Sequence, residues 1–173
     1  MILIALGANL VDAAGRAPLL ALPAAAAALD GLLGLRLSAV SALYRSPAWP
    51  EVADPAARQP DYVNAVARLD GAADPGALLA ALLAMEAAAG RRRGQANAAR
   101  PLDLDIIAMG KRGAMLRAAP DPILPHPRAH LRRFVLAPLL DVAPGFVHPV
   151  LHRSARQLMA ALPPTRIEKI TMG

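Results

Sequence analysis

Cysteine is absent from the 173 residues. That excludes a disulfide framework, a thiolate metal site and a cysteine nucleophile. It fits a reducing compartment without demonstrating one. Aromatic residues are scarce: one Trp, two Tyr and two Phe. Lysine is nearly missing, with Lys111 and Lys169 standing against 17 Arg. The longest apolar stretch, Ala17 to Leu35, contains Pro18, Pro23 and Asp30 and is rich in Ala, which makes it a poor membrane span. The opening Met1-Ile2-Leu3-Ile4 has no basic flank and meets Gly7 and Asn9 almost at once, unlike a signal peptide. The expectation is a soluble, cytoplasmic protein with no membrane partner.

What is present supports a folded chain. Apolar residues make up 55%, too many for a disordered polypeptide. Because 41 residues are Ala, the core must come from Leu, Ile, Val and Met. The length predicts one domain over 1–173 with a core of its own. The net charge of +6 is unevenly placed. Between Arg91 and Arg133 stand ten Lys or Arg and three acids, Asp103, Asp105 and Asp121. That segment therefore carries +7 and the rest of the chain −1, which points to an anionic ligand there, either nucleic acid or a polyphosphate.

Hydrophobic spacing places the elements. Residues 2–6 predict a buried strand, Pro18 to Leu33 a helix, and Leu35 to Tyr44 a strand with Leu35, Leu37, Ala39, Ser41 and Leu43 on one face. Tyr62 to Leu69 alternates too, with Tyr62, Asn64, Val66 and Arg68 sharing a face. Asp74-Pro75 reads as a helix start and Gly90 as its stop. Leu102 to Met109 predicts a strand, Ala129 to Leu140 a short helix, Ala155 to Leu162 a last helix and Arg166 to Thr171 a terminal strand. The order β-α-β-β-α-β predicts a ferredoxin-like α+β sandwich with additional C-terminal elements.

The sharpest chemical feature is Arg100-Pro101-Leu102-Asp103-Leu104-Asp105-Ile106. On a strand, Asp103 and Asp105 share a face at roughly 6–7 Å spacing while their neighbours face the core. Two like charges there call for a compensating cation, and carboxylate oxygens with substrate phosphates suit Mg²⁺. A half-exposed strand bearing two solvated acids is the plainer alternative. Arg91, Arg92, Arg93 and Arg100 flank a small-residue loop beside the acids, and Arg suits bidentate phosphate contact. Pro125-His126-Pro127 offers a phosphate donor or a structural histidine; His130, His148 and His152 show no partner pattern. Tyr62, Phe134 and Trp49 could line an aromatic slot or simply pack, and Asn64 on the Tyr62 face suits the edge of a heterocycle.

Taken in order, Ala5-Leu6-Gly7-Ala8-Asn9-Leu10, Tyr44-Arg45-Ser46-Pro47, Gln59 to Ala65, Glu86 with Gly90 to Arg93, Arg100 to Ile106, and Leu124 to Pro127 with Arg132, Phe134 and Leu136 resemble one family. It is the 6-hydroxymethyl-7,8-dihydropterin pyrophosphokinase family of folate biosynthesis. The resemblance implies a diphosphokinase that moves pyrophosphate from MgATP to the pterin hydroxymethyl group and releases AMP. It implies that Asp103 and Asp105 hold two Mg²⁺ ions, with Arg91 and Arg93 also catalytic. Arg91, Arg93, Arg100, Ile106, His126 and Arg132 fall on ATP-binding positions. Ser46, Pro47, Tyr62, Asn64 and Phe134 fall on pterin-binding positions. Glu86 falls on a family acid with no role implied. A monomer without a nucleic-acid partner is expected. Where family members often carry Arg-Trp-Gly-Pro-Arg, this chain has Ala96-Asn97-Ala98-Ala99-Arg100. A basic nucleic-acid module and a metal-dependent phosphohydrolase or nucleotidyl transferase are the rival readings. The paired aspartates argue against the first, and the shortage of further carboxylates against the second. A non-catalytic relative that still binds pterin or ATP is the third.

Overall fold

A computed structural model describes residues 1–49, 59–92 and 98–171. The chain runs β1 (Ile2–Ala8), α1 (Pro18–Ala27), β2 (Arg36–Val40), β3 (Tyr44–Ser46), β4 (Tyr62–Asp70), α2 (Pro75–Ala88), β5 (Asp103–Ala108), α3 (Arg133–Val142), α4 (Ala155–Ala161) and β6 (Glu168–Lys169). The strands form one sheet in the order β5-β1-β4-β3-β6, with β2 also on β4. Every pairing is antiparallel.

Alternation on the central strands builds a core on each side of the sheet. Ile4, Leu6, Ala65, Leu104 and Ile106 pack against Leu22 of α1 and Leu78 and Leu82 of α2. Leu3, Val66 and Ile107 pack on the opposite face against Leu136 and Leu139 of α3 and Leu158 of α4. Burying each such Leu contributes about 2 kcal/mol. Asp74 caps α2 by accepting from the Ala77 N–H at 2.9 Å, and Pro75 fills the first turn. Gly90, with φ of +90°, ends that turn of chain in a conformation that a Cβ would strain.

Several boundaries differ from the sequence expectation. The first helix ends at Ala27 rather than Leu33, and a 3-10 turn covers Leu32–Gly34. Gly31 there is left-handed, and the Asp30 carboxylate accepts from the Leu37 N–H at 2.8 Å, turning the chain into β2. The strand expected over Leu35 to Tyr44 is divided into β2 and β3. Its pairing shifts between Leu37 and Ala39, so Leu37 packs with one core and Ala39 with the other. Ser41 interrupts the ladder by accepting the Val66 N–H on its own Oγ at 2.9 Å. The helix expected from Ala129 is a 3-10 turn, Ala129–Leu131, followed by α3. Arg132 between them is extended. The terminal strand is only Glu168–Lys169, paired with β3.

Candidate active site

Strand register assembles the site. Gly7 of β1 lies opposite Asn64 of β4 on one side and Asp103 of β5 on the other. Two residues along, Ala5 lies between Val66 and Asp105. Paired residues share a face, so the two aspartates stand on the same side as Tyr62 and Asn64. The small residues of β1 keep the ground between them low. A Cβ on Gly7 would come within 3.9 Å of Asn64, Tyr62 and Asp103 together.

These residues line a cavity of about 300 Å³. Of the residues singled out in the sequence, Ser46, Pro47, Tyr62, Asn64, Arg91, Arg100, Asp103, Asp105, His126, Arg132 and Phe134 all line it. Ile106 does not: it is 3% exposed in the core beneath α1 and α2, because the strand period turns it away from the aspartates. Arg93, Ala96 and Asn97 lie outside the described residues.

The carboxylates are held by guanidinium groups. Asp103 Oδ1 accepts from Arg91 Nη1 at 2.6 Å and from Arg100 Nη1 at 2.9 Å. Asp105 Oδ2 is more loosely matched, 3.7 Å from His126 Nε2 and 3.8 Å from Arg132 Nη1. Two-fifths of the Asp105 side chain is open to the cavity mouth. The surrounding protein, and then the Asp103 charge, push its carboxyl above the usual range. Burial pushes His126 down, against the pull of Asp105. His126 Nδ1 accepts from the Arg128 N–H at 3.0 Å. Its neutral ring therefore carries the proton on Nε2, the atom that faces Asp105.

Arg100 is itself fixed by Asn9, whose Oδ1 accepts from the Arg100 N–H at 2.7 Å. Asn64 donates to Ser46 Oγ at 3.0 Å, which ties β4 to the Ser46-Pro47 segment. Arg132 stands with its guanidinium carbon 5.1 Å from the Trp49 ring centre and 5.7 Å from that of Phe134. Both rings face a cation at a favourable distance.

The donor set fits a divalent metal of the Mg²⁺ type. Two hard carboxylates on one strand face, beside cations able to take phosphate oxygens, match an ion that shares its coordination between protein and substrate. Among the described residues no group of three or more His, Asp or Glu is placed to hold a metal ion. Glu86, which the sequence matched to a family acid without a role, joins the site through Arg91. Arg128, which lines the cavity from the loop after His126, escaped sequence reasoning. The only sequence signal for Arg128 was its place in the basic segment.

Carboxylates ringed by guanidinium groups, next to two aromatic rings and an amide, define an enzyme of the polyphosphate-transfer class. The model of the 7,8-dihydro-6-hydroxymethylpterin-pyrophosphokinase (HPPK) family matches residues 3–144. The chain belongs to this family. It is 40% identical over 168 residues to the 2-amino-4-hydroxy-6-hydroxymethyldihydropteridine pyrophosphokinase of Pseudomonas aeruginosa, covering 96% of this chain and 94% of the relative. The protein of that name from Methylorubrum extorquens is 33% identical, covering 95% of each. The fold is shared with a solved HPPK-DHPS structure from Plasmodium falciparum, with a TM-score of 0.61 and 14% identity. The match covers 92% of this chain and 43% of that one. No helix among the described residues is long and apolar enough to cross a membrane.

Proposed function

We propose that this chain transfers the β,γ-pyrophosphoryl group of ATP to the hydroxymethyl oxygen of 6-hydroxymethyl-7,8-dihydropterin. The new bond joins that oxygen to the β-phosphorus, and the bond from the β-phosphorus to the α,β-bridging oxygen breaks. AMP leaves and the hydroxyl proton is lost. The observation that carries this reading is the convergence of the Asp103–Asp105 pair, the Arg91, Arg100, Arg132 and His126 set, and the Tyr62, Asn64 and Phe134 set on one cavity.

Asp103 and Asp105 would hold two Mg²⁺ ions, which supply charge neutralisation on the phosphates and acidify the attacking hydroxyl. Arg91, Arg100 and Arg132, together with Arg93, take phosphate oxygens as they develop charge, and His126 donates through Nε2. Tyr62 and Phe134 hold the flat pterin between them, and the Asn64 amide reads its edge beside Ser46 and Pro47. Positioning and electrostatic stabilisation account for the rate in such transfers. The strand order supports a ferredoxin-like sandwich: β5-β1-β4 with β2 and β3 beyond, and α1 and α2 together on one face. The same reading makes residues 1–173 a single catalytic domain, a monomer working in the cytoplasm.

The test is AMP release by the purified chain with MgATP, with and without the pterin. AMP that appears only with the pterin supports the reading. AMP formed at the same rate without it makes the chain a hydrolase, and pterin binding with no AMP makes it a non-catalytic relative.

A further inference from the structure

The loop that carries His126 has a second concavity behind it. Pro125 and Pro127 line this second cavity while His126, between them, lines the first. The second is an open hollow of about 370 Å³, a size suited to a small organic molecule. Its lining includes buried Leu124 together with Leu116, Val150 and Leu151, which remain 64%, 56% and 40% exposed. Large apolar side chains gathered in the open around one hollow mark a binding surface.

The polar groups in the lining narrow the chemistry. His130 and His148 meet edge to face, with centroids 5.3 Å apart. His148 Nδ1 accepts from the N–H groups of Val150 and Leu151 at 3.3 and 3.2 Å. An accepting nitrogen bears no proton, so the neutral ring is a donor through Nε2. Burial, and then His130, push His148 down. His130 Nδ1 is shielded from solvent and has no hydrogen-bond partner among the described residues. Among the described residues Arg117 is the one Lys, Arg, Asp or Glu in the lining. Its Nε donates to the Pro120 carbonyl at 2.9 Å and its Nη2 to the Asp121 carbonyl at 3.5 Å. It takes part in no ion pair among the described residues. A cationic ligand would be repelled by this arginine, and a polyphosphate would find only one positive group. An apolar body with a single anionic head satisfies both the walls and the guanidinium.

We propose that this cavity is a second ligand site, one that takes a small apolar carboxylic acid with an aryl or branched-alkyl body. Benzoate is the probe, and benzyl alcohol its uncharged counterpart. Both are titrated calorimetrically into the full chain, first alone and then with the first cavity filled by the pterin and the magnesium complex of a non-hydrolysable ATP analogue. Leu151→Glu and Val150→Glu place an acid at the exposed mouth, and Arg117→Gln removes the cation. The expected result is saturable one-to-one benzoate binding that survives filling of the first cavity. Affinity falls at least about fivefold in Arg117→Gln, a loss of about 1 kcal/mol, and is abolished by each Glu variant that retains the wild-type melting temperature. Benzyl alcohol binds at least about fivefold more weakly than benzoate. Absence of saturable binding overturns the proposal. So does displacement by the pterin and nucleotide, or benzoate binding unchanged in Arg117→Gln and the Glu variants. None of these outcomes bears on AMP formation, so the catalytic reading stands or falls separately.

Discussion

Glu86, in the last turns of α2, accepts the backbone N–H of Leu104 at 2.7 Å, pinning the strand residue that lies between the two aspartates. The same oxygen accepts from Arg91 Nη1, which in turn donates to Asp103 at 2.6 Å. A carboxylate that is 3% exposed thus holds both the strand and the first arginine of the cavity. Burial pushes its carboxyl up, while the Leu104 N–H and Arg91 favour the charged form.

Removing that carboxylate leaves the buried Leu104 N–H unmatched and Arg91 paired with Asp103 alone. Glu86→Ala is expected to destabilise the fold by about 3 kcal/mol. Glu86→Gln retains an acceptor for Leu104 and costs about 1 kcal/mol. Urea denaturation midpoints measure both. Equal losses in the two variants would show that the Leu104 contact contributes nothing.

The aspartates divide differently between stability and chemistry. Asp105 has only the looser contacts to His126 and Arg132. Asp105→Asn therefore changes stability by less than about 1 kcal/mol while lowering AMP formation at least about 100-fold, the loss of roughly 2.7 kcal/mol of transition-state stabilisation. Asp103→Asn shows the same kinetic loss and in addition weakens the pairs to Arg91 and Arg100. Chromatographic assay of AMP decides: an Asp105→Asn enzyme within tenfold of the wild-type rate removes the metal role.

The aromatic wall should act on one substrate. Phe134→Ala raises the pterin KM by about tenfold, the scale of one lost stacking contact. The KM for ATP changes less than about threefold. Steady-state kinetics with each substrate varied in turn separates the two. A larger effect on ATP than on the pterin would place Phe134 on the nucleotide side.

Stability at alkaline pH depends on a pair remote from the cavity. Tyr44 donates to Asp141 Oδ2 at 3.0 Å, and burial, then Asp141, push its phenol from 10.0 to about 12. The folded chain keeps the proton where the unfolded chain has released it. This contribution is full below about pH 10 and disappears as pH rises through about 12. Tyr44→Phe lacks that titration and starts about 1 kcal/mol less stable. Its deficit against the wild type should shrink across the interval in urea midpoints. A deficit that stays constant with pH would mean that the Tyr44 hydroxyl contributes no such linkage.

Much of this was legible in the sequence, and its limits have a physical pattern. The alternation of Leu102, Leu104 and Ile106 with Asp103 and Asp105 required the acids to share a face, since a strand has no other way to bury its apolar residues. Tyr62 and Asn64 came together for the same reason. The Asp74-Pro75 pair located the start of α2. Breaks that depend on one backbone torsion or one side-chain bond were not legible, as at Gly31, Ser41 and the extended Arg132.

The amino-acid sequence by itself determined the strands, their buried faces and the chemical character of each face, because those follow from spacing along a few residues. Tertiary structure alone decided which faces meet. Register brought Asp103 and Asn64 to either side of Gly7, although 39 positions separate the two. Packing of the loop before α3 carried Arg132 between Trp49 and Phe134 and left an apolar hollow beside His148. Tyr44 reached Asp141 across 97 positions. Contacts of that range have no period in the sequence; they exist only once two faces have been buried against each other.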